Sequence, residues 1–73
     1  MDWTVRLRLS ESAGSVVATA TLVDQDEGVL TATAQFRPVS VDSPTSRTQY
    51  ELAAARALQR LSEALIMAAT RSK

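Results

Sequence analysis

The side chains that most often carry enzyme chemistry are missing from this chain, which has no cysteine and no histidine. That removes thiolate nucleophiles, disulfides, the common zinc sites and the usual proton shuttle at neutral pH. Serines and threonines are plentiful, but without a histidine or an evident lysine base beside them none is nominated as a nucleophile. Asp24, Asp26 and Gly28 have the opening spacing of a calcium loop. The later oxygen ligands and the bidentate glutamate do not follow at the required spacing, so these residues are assigned to a hairpin loop. No catalytic residue, metal site or cofactor is expected, and the class that remains is a non-enzymatic interaction or regulatory protein.

The chemistry left is that of surfaces. Arg6, Arg8 and Arg37 fall on one face of the expected sheet and are candidates for contact with an anion or nucleic acid. Thr19, Thr21, Thr31 and Thr33 share that face and make it flat and mildly polar, suited to packing on a second copy. Eight basic and eight acidic side chains leave no net charge, so the whole chain exerts no strong pull on nucleic acid or anionic lipid. The lack of cysteine suits a reducing cytoplasm, and the alternating start after Asp2 is unlike a secretory signal. No apolar run approaches the roughly 20 residues needed to span a bilayer, so no membrane partner is expected.

These residues need elements to hold them. Trp3, Val5, Leu7 and Leu9 alternate with Thr4, Arg6 and Arg8, the pattern of a half-buried strand over 3–9. Residues 16–23 and 29–37 continue as β-branched and threonine-rich strands, separated by serine-, aspartate- and glycine-bearing loops and stopped by Pro38. With simple hairpins, Leu9 lies near Val16 and Val23 near Val29. The inner face is then a trough of Ala18, Ala20, Ala32 and Ala34 beside Val5 and Leu7. Bulky residues fill its ends: Trp3, Leu22 and Leu30 at one, Leu9, Val16 and Phe36 at the other.

After a crossover over 38–45, a helix is expected over 46–70, started by Thr48 with Glu51 or by Ser46 with Gln49. Spacing residues by about 100° puts Tyr50, Ala54, Ala57, Leu58, Leu61, Leu65 and Ala68 on one stripe, with Arg56, Gln59, Arg60 and Glu63 opposite. That stripe belongs in the alanine trough. Leu52, Ile66 and Met67 project from the back of the helix, and they join the threonines as candidate contacts with another chain.

The string ELAAARALQRL over 51–61, the opening Trp3-Thr4-Val5 and the small-residue run Ala18-Thr19-Ala20-Thr21-Leu22 resemble a family of small actinobacterial proteins of unknown function. That family is similar in fold to double-stranded-RNA-binding domains without their first helix. Where its members carry Pro-Glu-Ile-Gly-Asp, this chain has Ser46, Arg47, Thr48, Gln49 and Tyr50. The resemblance implies β-β-β-α order and a tendency to dimerise, with a link to RNA or the ribosome through shared fold. The fold class expected is therefore α+β: one domain over 1–73, a three-stranded antiparallel meander with a C-terminal helix on one face. The function expected is that of a homodimeric interaction protein; the alternative is an RNA- or ribosome-associated factor using the three arginines.

Overall fold

The computed structural model describes residues 1–12, 14–37 and 47–71. Three strands, β1 (Trp3–Ser12), β2 (Ser15–Asp24) and β3 (Glu27–Phe36), form an antiparallel sheet in the order β1-β2-β3, followed by one helix, α1 (Arg47–Arg71). The α+β class and the three-strands-then-helix order are as expected. The crossover over 38–45 and the alternative helix cap Ser46 lie outside the described residues. The helix already runs at Arg47, so Thr48 sits inside it rather than capping it, and Glu51 pairs with Arg47 at 3.4 Å on the exposed first turn.

Both hairpins are tighter than the sequence suggested. The chain reverses between Ser12 and Ser15, where Gly14 takes φ +79°, a conformation glycine adopts without a Cβ penalty. The second reversal passes through Gln25 and Asp26, both with positive φ, as the twist of a two-residue hairpin turn requires. Lengthening β1 to Ser12 shifts its register by two residues. Leu9 pairs with Ala18, and Glu11 takes the place beside Val16 that Leu9 was expected to fill. At the other end Trp3 faces Asp24, and Val5 rather than Trp3 meets Leu22. The pairs Ala18–Ala34, Ala20–Ala32, Leu22–Leu30 and Val16–Phe36 stand as expected. An irregularity after Leu22 sets Val23 opposite Gly28 rather than Val29.

The helix lies in the alanine trough. Ala53 and Ala57 pack with no exposed surface against Ala18, Ala20 and Ala34, with Leu61, Leu22 and Val16 completing the core. The helix seats on β3 and β2 and only marginally meets β1. Side-chain size explains the choice. Where the floor is methyl groups a helix axis approaches closely, whereas the bulkier Trp3, Val5, Leu7 and Leu9 row of β1 does not admit it to the same depth. On the far side Arg60, expected to point away from the sheet, donates from Nη1 to the Thr33 carbonyl at 2.9 Å and covers part of the β3 edge.

Because Ala57 has no room around it, Ala57→Leu must lift the helix or distort its neighbours. A loss of about 1–3 kcal/mol is expected, read from the urea midpoint at fixed protein concentration.

Candidate interaction surface

Alternation places Trp3, Val5, Leu7, Leu9 and Glu11 on the helix-bearing face of the sheet, in register with Asp24, Leu22, Ala20, Ala18 and Val16. The sequence pattern assigned this row to the interior. It is instead open: Trp3 keeps 53% of its surface, Val5 45%, Leu7 39% and Leu9 39%. A three-stranded sheet is about 14 Å wide, and one helix with its side chains covers about 10 Å. Seated on β2 and β3, the helix leaves one strand uncovered, and the uncovered strand carries Trp3, Val5, Leu7 and Leu9.

The helix adds the riser of this step. With Ala53 and Ala57 facing the floor, the flank turned toward β1 carries Ala54, Leu58, Leu65 and Ala69. Leu58 was expected in the trough and is 42% exposed, while Ala53, which the expected stripe omitted, is fully buried. The stripe is therefore rotated by part of a turn. At one end of the step the Tyr50 hydroxyl donates to a Glu11 carboxylate oxygen and ties the first turns of the helix to β1. At the other end a cleft of about 270 Å³ opens between helix and sheet, lined by Trp3, Leu22, Val29, Leu30, Leu65 and Ala68, with Asp24 contributing a carboxylate. The sheet irregularity explains why Val29, expected on the outer face, lines this cleft.

The outer face of the sheet carries the arginines and threonines. Arg6, Thr21 and Thr31 form one row across the strands and Arg8, Thr19 and Thr33 the next. The Thr31 and Thr21 hydroxyls meet at 3.4 Å. Thr31 and Thr33 are exposed, and Thr19 and Thr21, on the central strand, are half-buried. Arg37 does not join Arg8. Strand spacing and register hold it on the order of 15 Å away, and its Nε donates to the Oγ of buried Ser15 at 3.4 Å. The structure thus brings Arg6 and Arg8 together and leaves Arg37 apart. On the helix, Leu52, Ile66 and Met67 are exposed at 44%, 65% and 57%.

With this geometry in hand, the comparison with known proteins has a clear result. The model of the Rv2632c-like family matches residues 1–72. The chain belongs to the Rv2632c-like family. No curated protein and no solved structure matches it. The resemblance seen in the sequence holds at the level of a small family. What this Rv2632c-like chain presents on its helix-bearing face is an apolar step, β1 as tread and α1 as riser. Among the described residues no group of carboxylates able to hold a metal accompanies it, and no helix is long and apolar enough to cross a membrane.

The clasp at one end of the step has a spectroscopic signature. Accepting the phenol's hydrogen bond, Glu11 raises the Tyr50 pKa above the ordinary 10.0, with loss of solvation and repulsion between carboxylate and phenolate acting in the same direction. The folded state holds that proton more tightly than the unfolded chain does. The clasp's contribution to stability is therefore full below the ordinary value and fades as the pH rises through the raised one. Tyr50 is the sole tyrosine. Titration of its ultraviolet absorbance is expected to show a midpoint above the ordinary value that falls back toward it in Glu11→Gln.

Proposed function

We propose that this protein is a non-enzymatic cytoplasmic interaction protein that works as a homodimer and uses the step between β1 and α1 as its association surface. One observation supports the reading above all: a row of four large apolar side chains on β1, none less than 39% exposed, flanks a helix that cannot cover it. Scattered surface apolars are ordinary, but a contiguous row beside an apolar helix flank is the signature of a contact. The buried core argues the same way. It consists of Val16, Leu22 and Leu61 among alanines, and Val16 is the largest side chain with essentially no exposure. Domains this small add disulfides, metals or self-association to such a core, and this chain has no cysteine for the first.

The test is a mass in solution. Sedimentation of the full chain across low to high micromolar concentration is expected to give twice the chain mass, and Leu7→Lys, at an exposed site in the middle of the row, is expected to weaken association on the order of 100-fold while the circular dichroism spectrum stays native. A native protein that remains monomeric throughout that range defeats the reading.

A second reading, an RNA- or ribosome-associated factor, draws on Arg6 and Arg8 standing side by side on the outer face. It also draws on the resemblance to actinobacterial proteins with a double-stranded-RNA-binding-domain-like fold. Duplex-RNA binding that weakens steeply with salt and is lost in an Arg6→Ala, Arg8→Ala variant would favour it over the first.

A further inference from the structure

We infer that the second copy docks end for end, its α1 running antiparallel to this one and the two steps closing on a shared apolar centre, with the two-fold axis passing beside Ser62. The inference rests on the homodimer reading and adds to it a specific geometry.

The helix flank has a seven-residue rhythm. Glu51, Leu58 and Leu65 recur at intervals of seven, and so do Ala55, Ser62 and Ala69, each set three or four residues from the other. At helical spacing all six lie on one flank, clear of the buried Ala53 and Ala57. The flank is close to symmetric about Ser62, with Ala55 and Ala69 seven residues to either side and Leu58 and Leu65 four before and three after. Turned end for end, it sets Ala55 against the partner's Ala69 and Leu58 against the partner's Leu65. Alanine and serine let the two helix axes come close, and the leucines fill the space on either side.

The β1 row has a centre of its own, between Val5 and Leu7. Two contacts fix how helix and strand are aligned: Tyr50 reaches Glu11, and Ala68 lines the cleft that Trp3 also lines. At about 1.5 Å per residue on the helix and 3.4 Å on the strand, Ser62 stands level with the Val5–Leu7 centre. One perpendicular two-fold therefore serves both rows at once. A parallel dimer makes no use of this coincidence.

The area is adequate. Trp3, Val5, Leu7, Leu9 and Leu58 together expose on the order of 400 Å², or about 800 Å² for two copies, a fitting apolar centre for a contact of about 1,200–2,000 Å² with its polar rim.

The absence of cysteine makes the geometry directly measurable. Single-cysteine variants of the full chain are oxidised and run without reductant, alongside sedimentation of the unmodified protein. Ser62→Cys is expected to form covalent dimer on the order of 100-fold faster than Arg56→Cys on the opposite side of the helix, because its partner thiol is held at high effective concentration. Ala55→Cys and Ala69→Cys are each expected to cross-link slowly alone and rapidly when mixed. Ser62 is exposed and its hydroxyl bonds only within its own helix, to the Gln59 carbonyl at 2.9 Å, so the thiol costs the fold little. Rapid self-linking of both Ala55→Cys and Ala69→Cys would establish parallel helices and overturn the inference. A dimer that links through Thr31→Cys but not Ser62→Cys would move the contact to the outer sheet face, overturning the inference and leaving the homodimer standing. A monomer in sedimentation removes both.

Discussion

One helix is narrower than three strands, and most of what distinguishes this molecule follows from that mismatch. A sheet of this width needs close to a helix and a half to cover one face. With a single helix available, some strand must stay open, and the distribution of side-chain bulk decides which. Alanines on β2 and β3 admit the helix; the tryptophan, valine and leucines of β1 exclude it. Four large apolar side chains are thereby left half-open, and the stabilisation that their burial would contribute in proportion to area is not realised within one chain.

The two edges of the sheet are treated unequally, and the inequality matches the placement of the helix. At the β3 edge Arg60 reaches from the helix to a strand carbonyl, so a group that a neighbouring strand would pair is already engaged. On the β1 side the corresponding link is Tyr50 to Glu11, at one end of the strand. Ten residues of β1 therefore combine an open edge with an open apolar face. The molecule therefore has one sheet edge engaged by its own helix and one left open.

The outer face is of another kind. Threonine rows give it shape without much apolar area, and its arginines divide into an adjacent pair on β1 and a single residue engaged with Ser15. Such a face is well suited to remain in solvent or to meet an anion. The helix-bearing face alone combines large apolar side chains, a concave profile and a cleft.

Much of the fold was legible along the chain because it depends on local pattern. The period-two alternation of 3–9, the turn residues around Gly14 and Gly28 and the alanine-leucine segment after residue 46 specify strand, hairpin and helix through backbone preference, and the four small residues of β2 and β3 identified the seat of the helix. Hairpin registers were less legible. A turn of two residues and a loop of six share the same turn-forming residues, and choosing between them moved Leu9 from Val16 to Ala18. The candidate site was read inside out. Alternation says which side chains share a face, and Trp3, Val5, Leu7 and Leu9 do share the helix's face, but it says nothing about how far across that face the helix extends. Pattern by itself determined the elements and their two-sidedness, because those follow from neighbours in sequence; only the packed structure decided that β1 stays open and that Leu58 joins it, because coverage is a matter of widths in space.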